Sequence, residues 1–528
     1  MRICAGILND LSRPRLTAAA RLRPSARSLL TLAIETSCDD TSVAVLEKQT
    51  VPENGKSCAI LHFHKKITSN NTLFQGVHPL VSLQSHQENL AKLVDDAVFH
   101  LPSSHFSESR ENNDGSSKPL VEDLFGRARR RRPDFISVTR GPGMRANLSE
   151  GVATAKGLAA AWQVNLVGVH HMQAHALTPR LVAALQNAGQ APVARDKATC
   201  PGKVNVKPEF PFLSVLASGG HTLLIHSASL TDHQVLASTT DIAVGECLDK
   251  IARVVLPPDL LQTTRSTMYG ALLEKFVFSG PSASGAGNAR HSPEIENIAS
   301  EGKEKDRYRL DDRTASDYCA IYGTRADYGY VVPKNNEEAK KQNITKWGWA
   351  FNQPLSKAAG GLKNKSLEMS FSGLLTAVEH VVKFEVDQRT GKRTQYERSV
   401  DSISLEERKD IAREAMRAAF EHVVGRVVLG LQQASAENPG QTPVSTVVMA
   451  GGVAANSYLR YILASVLVAR GFPDVRIVFP PPSLCTDNAA MIAWAGIEMY
   501  EAGYHDPRTI RAIRKWPLNQ LLSPPDKH

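Results

Sequence analysis

Residues 31–46 read TLAIETSCDDTSVAVL. A short apolar strand, Leu32–Ile34, meets a polar turn at Glu35–Asp40, and a second β-rich strand covers Thr41–Leu46. The stretch is a hairpin with acids and hydroxyls at its tip. Residues 212–226, FLSVLASGGHTLLIH, repeat the unit: strand Phe212–Ala217, tight turn Ser218-Gly-Gly220, strand Thr222–Ile225. One hairpin used twice implies a duplicated, two-lobed α/β fold.

Two more glycine turns join a strand to a helix. One is Gly451-Gly452, after the apolar run Val447–Ala450 and before a helix from Asn456 to about Arg470. The other is Gly141-Pro-Gly143, before a helix with small residues at Gly151, Ala155, Gly157 and Ala159. Such turns aim backbone N–H groups and a helix dipole at an anion, or serve only as connections. With the polar hairpin tip they point to a nucleotide-sized ligand.

His171-Met-Gln-Ala-His175 follows the apolar run Val167-Gly-Val169. Four residues is one helical turn, so both rings face the same way and can share a metal ion. The peptidase form of this spacing has a Glu after the first His as general base. Here that residue is Met172. The spacing therefore speaks for a metal and against metallopeptidase chemistry; two core histidines are the plain alternative.

The 528 residues suffice for two domains with sizeable cores, and 42% hydrophobic content is ordinary for a soluble protein. No run approaches the roughly 20 apolar residues of a membrane span, so no membrane helix is expected. The cysteines, at 4, 38, 58, 200, 247, 319 and 485, form no CxxC pair, which argues against a disulfide scaffold or a cysteine-based zinc site. Residues 1–30 hold six arginines and one acid, Asp10, among Ser, Ala and Leu. That is the pattern of a mitochondrial transit peptide, with cleavage near Leu29–Leu30, or of a basic tail. Without it the formal charge falls from +9 to +4, so the basic balance does not by itself indicate nucleic-acid binding. Residues 102–132, 280–345 and 386–403 are polar and read as flexible loop insertions. The run Arg127 and Arg129–Arg132 touches RNA phosphates or simply faces solvent.

Together the motifs resemble one family, the tRNA N6-adenosine threonylcarbamoyltransferases, in their mitochondrial branch. The matching stretches are AIETSCDDTSVAV (33–45), GPGMRANLSEGVATAKGLA (141–159), HHMQAH (170–175), PFLSVLASGGHTLLI (211–225), DIAVGECLDKIAR (241–253), MSFSGLLTAV (369–378), VVMAGGVAANSYLR (447–460), CTDNAAMIAWAG (485–496) and KWPL (515–518). The resemblance implies an actin/Hsp70/sugar-kinase-like fold, with mixed sheets flanked by helices. Residues 31–205 would form the first lobe, 206–504 the second, and 505–528 a tail packing back on the core. It implies transfer of threonylcarbamoyl from threonylcarbamoyl-AMP to the N6 amine of adenosine 37, beside the anticodon of ANN-decoding mitochondrial tRNAs. It also implies a matrix location, a homodimer, contact with the tRNA anticodon stem-loop, and one divalent metal ion per subunit, zinc or iron.

By the same resemblance the metal ligands are His171, His175 and Asp487. Asp487 equally sits where a helix N-cap would. Some family members carry a tyrosine placed to join the metal where this chain has Leu216, so no fourth protein ligand is expected from that position. Ser218, Gly219, Gly220, His221 and Thr222 match the substrate loop, where glycines let a phosphate approach and hydroxyls donate. A plain hairpin turn is the alternative, and His221 is a substrate contact or a strand residue. Asp249 matches an acceptor for ribose hydroxyls, or is an exposed helix acid. Asn456 matches a nucleotide contact, or is a helix cap. Gly270, in Met268-Tyr-Gly270, is the nearest counterpart of the family's Tyr-Pro-Gly-Gly.

Glu35, Asp39 and Asp40 crowd the first hairpin tip. Asp39 and Glu35 are the catalytic candidates, to orient the adenine amine or take its proton. Aspartates bonding their own turn are the alternative. Cys38 and Cys485 lie among acids, which suppress a thiolate, so direct acyl transfer without a covalent enzyme intermediate is expected. A metal-dependent glycoprotein endopeptidase is the competing reading, disfavoured by Met172. A kinase or ATPase of this fold would hold Mg²⁺ through carboxylates rather than histidines.

Overall fold

The computed structural model describes residues 28–50, 57–71, 74, 76–103, 130–188, 206–263, 269–278, 309–325, 327–356, 366–387, 390, 392–437 and 442–525. Most of the transit segment, and residues 104–129 and 280–308 of the polar insertions, lie outside the described residues.

The first sheet contains β1 (Ser28–Glu35), β2 (Asp40–Thr50), β3 (Ser57–Thr68), β4 (Phe135–Gly141) and β5 (Asn165–His170). Its order is β3-β2-β1-β4-β5, antiparallel through the first three strands and parallel from β1 onward. The remaining strands are β6 (Phe212–Ala217), β7 (Thr222–Ser227), β8 (His233–Ser238), β9 (Asp311–Thr314), β10 (Phe384–Asp387), β11 (Lys392–Glu397), β12 (Thr446–Ala450) and β13 (Arg476–Phe479). The second sheet runs β8-β7-β6-β12-β13-β9 with the same antiparallel-then-parallel plan, plus an antiparallel β9 at its edge. The duplication implied by the two hairpins is thus present in the hydrogen bonding of both sheets.

Strand alternation decides which layer each face meets. Leu30, Leu32 and Ile34 of β1 pack under helices Pro79–Phe99 and Arg145–Trp162. Ala33, with Ala44, Val167 and Val169, faces helices His171–Ala188 and Ala489–Glu501. From the second sheet Phe212, Val448 and Val478 meet the same two helices. Its other face, with Leu213, Val215, Val447 and Met449, packs under helices Val244–Val255, Leu405–Glu437 and Ser457–Ala469. The layers are therefore helix, sheet, helix, sheet, helix. A helix between two sheets must be apolar nearly all round, and Ala489–Met499 is buried throughout.

Several expectations change. Helix Ala489–Glu501 falls in the stretch assigned to the second lobe, yet it packs on the first sheet. Gly496 permits that approach, since a Cβ there would lie 2.2 Å from Ser137 Oγ. Tyr500 also stacks on Phe135 at 4.2 Å. β1 includes Ser28 and Leu29, and Leu30 is fully buried, so the first sheet includes residues ahead of the expected cleavage point. The described part of 280–345 is not all loop: β9 pairs with β13, followed by helices Ala315–Gly323 and Asn336–Gln342. Its charged residues suit a sheet edge, where Asp311 pairs with Arg460 and Asp312 with Arg476. Residues 386–403 likewise contribute to the β10–β11 ribbon. Arg130, Arg131 and Arg132 are engaged within the fold, with Leu101 O, with Glu47 and Asp134, and with Trp162 O; Arg127 and Arg129 lie outside the described residues.

Candidate metal centre and substrate cleft

β5 passes directly into helix His171–Ala188, so that helix begins at the carboxyl end of the first sheet. One turn brings the His171 and His175 rings to 4.7 Å between centroids, edge to face. Asp487 enters from the loop before helix Ala489–Glu501. Asn488, not Asp487, caps that helix, accepting from Met491 N at 3.0 Å. The Asp487 carboxylate is left to face the histidines, with Oδ1 3.0 Å from His175 Nε2 and 3.4 Å from His171 Nε2. One ligand atom from each of the three residues lies within 4.8 Å of the others. Two imidazole nitrogens and a carboxylate oxygen at this separation fit a divalent ion with open positions.

Glu35 lies behind this cluster rather than at the cleft surface. It is fully buried; Oε2 sits 3.3 Å from His171 Nδ1 and accepts from the Thr139 hydroxyl, while Oε1 accepts from Ser37 N at 2.6 Å. A carboxylate on the far nitrogen of a histidine fixes the ring and raises its basicity. The expectation that Glu35 handles the substrate's proton therefore gives way: both its oxygens are engaged out of reach. Asp40 is also spent, on Lys66 at 2.9 Å and on the Thr68 hydroxyl. Asp39 is half-buried, and burial together with Asp40 and Asp487 raises its pKa.

Without a metal ion, two carboxylates enclose His171. Burial disfavours its charged form, but Asp487 and Glu35 outweigh this and push its pKa up to about 10. Burial likewise opposes ionisation of Asp487, yet His171 holds it well below the usual carboxylate range. Burial lowers the pKa of His175. A proton on His171 therefore stands where metal charge would, and binding must expel it. Apparent zinc affinity is expected to rise about tenfold per pH unit between roughly pH 6 and 9. Competition with a chromogenic chelator reads this, and a flat profile would show that metal binding displaces no proton from His171.

The Ser218–Thr222 turn links this centre to a second polar group. The His221 ring is 6.5 Å from that of His171. On the other side Ser218 O accepts from Gly245 N at 3.2 Å, at the start of the helix carrying Asp249. A Cβ on Gly219 or Gly220 would meet nothing within 4 Å, so the turn borders open space that a ligand can enter. Thr222 differs from its expected role. Its hydroxyl is fully buried and accepts from Val244 N at 2.8 Å, which anchors the helix rather than facing the cleft.

Asp249 and Gly270 do come together, Asp249 Oδ1 accepting from Gly270 N at 2.7 Å. Asn456 acts as a helix cap, accepting from Tyr458 N and Leu459 N at 3.0 Å each. The preceding amide, Ser457 N, goes to Glu274 Oε1 at 2.7 Å. This helix start is thus already filled by carboxylate and amide oxygens. The Gly141-Pro-Gly143 turn is filled as well: Gly143 N goes to Arg514 O at 3.2 Å and Met144 N to Ser37 O at 2.9 Å. Sequence reasoning missed Glu274; its signal is a position one helical turn after Gly270.

Met172 turns into an apolar cluster with Leu216, Ile225, Ala450 and Leu518, so a peptidase's carboxylate base has no counterpart at this position. Burial raises the thiol pKa of Cys38, and that of Cys485 to about 12, against a thiolate nucleophile. Among the described residues no helix is long and apolar enough to cross a membrane.

Paired α/β lobes of this topology form an actin/Hsp70/sugar-kinase-like fold, here with a candidate metal centre between the lobes. The family model for tRNA N6-adenosine threonylcarbamoyltransferase matches residues 116–194, 198–305 and 301–494. A mitochondrial tRNA N6-adenosine threonylcarbamoyltransferase of Schizosaccharomyces pombe is 30% identical, covering 94% of this chain and 89% of the relative. Proteins named tRNA N6-adenosine threonylcarbamoyltransferase from Methylocapsa acidiphila (28%; 92% and 96% covered) and a Bradyrhizobium species (26%; 94% and 98% covered) are also similar. The chain belongs to the tRNA N6-adenosine threonylcarbamoyltransferase family.

Proposed function

We propose that this protein transfers the threonylcarbamoyl group from threonylcarbamoyl-AMP to N6 of adenosine 37 in ANN-decoding mitochondrial tRNAs. It works in the mitochondrial matrix as a homodimer, on the anticodon stem-loop. The observation that carries this reading is the His171–His175–Asp487 cluster beside the open Gly219-Gly220 turn, in a chain of this family. Its mitochondrial relative supports the location.

His171, His175 and Asp487 would hold one zinc or iron ion, and Glu35 with Ser37 orients the His171 ring. Such an ion supplies Lewis acidity that polarises a carbamoyl or phosphate oxygen and offsets charge on departing AMP. Ser218, Gly219, Gly220 and His221 border the phosphate. Asp249, Gly270, Glu274 and Asn456 border the nucleoside, at the far side of the same turn. The adenine leaves the anticodon stack to enter. Its amine attacks the carbamoyl carbon; a C–N bond forms as the C–O bond to the AMP phosphate breaks. The amine proton passes to Asp39, whose raised pKa suits an acceptor.

The test is reconstitution of residues 28–528 with threonylcarbamoyl-AMP and an unmodified ANN-decoding tRNA. Mass spectrometry of the digested RNA is expected to show threonylcarbamoyladenosine. A folded, metal-loaded protein that forms none would refute the reading.

A further inference from the structure

Among the buried imidazoles that the mechanism does not use, one adjoins the candidate metal centre. His170 ends β5, next to the first metal-ligand candidate, and is almost fully buried. Its Nε2 lies 3.0 Å from Trp516 O, and its Nδ1 accepts from Met172 N at 3.2 Å. A carbonyl can only accept and a backbone N–H can only donate. The two partners therefore select a single neutral tautomer, with hydrogen on Nε2 and a bare Nδ1. That bare nitrogen takes one of the N–H groups that every helix start leaves without an intrahelical partner. The helix it serves is the one that carries His171 and His175.

The Trp516 carbonyl is held by the C-terminal residues. Asp506 accepts from Gly168 N at 2.7 Å and pairs with Arg140 at 3.2 Å, while Ile513 N donates to Arg140 O at 2.8 Å. The Trp516 indole sits 4.7 Å from the His170 ring and donates to Gln520 O at 3.0 Å. Two residues on, Leu518 packs with Met172 and with Leu216 and Ile225 of the second sheet. Residues 506–518 thus run from β5, past the start of the helix that carries His171 and His175, to the second lobe.

The geometry points to His170 as a positioning residue: the C-terminal strap, through the Trp516 carbonyl, fixes the His170 tautomer that caps and aims the helix presenting His171 and His175. The inference rests on the metal-centre reading. It predicts that losing the His170 hydrogen bonds weakens metal binding without removing any ligand, as loss of supporting groups around a metal site does.

The experiment measures zinc affinity of residues 28–528 by chelator competition for the parent, His170→Phe, His170→Asn and His171→Ala. His170→Phe keeps a flat ring but neither hydrogen bond, and is expected to weaken zinc binding about ten- to a hundredfold. His170→Asn retains an acceptor near the Met172 amide and is expected to recover most of that loss. The transferase defect of His170→Phe should fall on kcat rather than on KM for tRNA. Unchanged zinc affinity in folded His170→Phe overturns the inference. If His170→Phe does not fold, nitrogen-15 histidine spectra of the parent decide: a neutral, Nε2-protonated His170 supports it, and any Nδ1–H form overturns it. Zinc bound equally by His171→Ala would instead overturn the metal-centre reading itself.

Discussion

The double variant His171→Ala, His175→Ala is expected to bind no stoichiometric zinc or iron and to form no threonylcarbamoyladenosine. It removes two of three candidate ligands, leaving a lone carboxylate that cannot compete with water for the ion. It also leaves Glu35, fully buried, and Asp487 without the His171 imidazolium that pairs with both. Breaking a buried charge pair from one side costs about 3–5 kcal/mol. The variant should therefore be less stable, and more so as pH rises. With the histidines gone, burial raises both carboxyl pKa values in the folded state, so the stability their protons allow is lost above those values. Urea melts at two pH values read this. Glu35→Gln is the graded comparison. It keeps all three ligands and loses only the charge behind His171, so metal affinity should drop about tenfold to a hundredfold with residual turnover. A double variant that still makes product would remove the metal centre from the reaction.

The second large effect is on the fold. Gly451 follows β12 with φ +92°, and a Cβ there would lie 2.3 Å from Ala217 O at the end of β6. Gly451→Ala adds left-handed strain to a backbone clash that no side-chain rotation relieves. The combined cost is about 2–5 kcal/mol. The expected result is a lower urea midpoint, with disorder where the second sheet meets the cleft. Gly219→Ala is the contrast. Its Cβ meets no protein atom within 4 Å, so stability should hold while KM for threonylcarbamoyl-AMP rises. Equal midpoints for Gly451→Ala and the parent would show that the β6–β12 junction can open.

The main architecture was legible in the chain because period-2 alternation and polar turns are local signals. Both hairpins are found where they are read, although β1 and β2 are longer than expected. Glu47, Lys48 and Gln49 look like the end of a strand, yet they pair with Leu30, Leu29 and Ser28. The polar β9 was read as loop for a similar reason: an edge strand buries little, so its residues do not alternate.

The sequence by itself determined the duplication of the sheets, the one-turn spacing that puts His171 and His175 on one helix face, and the family. Each depends on neighbours within a few residues or on motif identity. Tertiary structure decided which of two adjacent polar residues caps and which faces the metal, as with Asn488 and Asp487. It turned Thr222 inward, set Glu35 behind His171, and laid the helix of Ala489, from the stretch read as the second lobe, on the first sheet. It also brought the Trp516 carbonyl to His170, across 346 positions of chain. Local spacing determines which side chains share a face. What that face meets, and which polar atoms it must satisfy there, depends on residues hundreds of positions away that only the packed layers bring into contact.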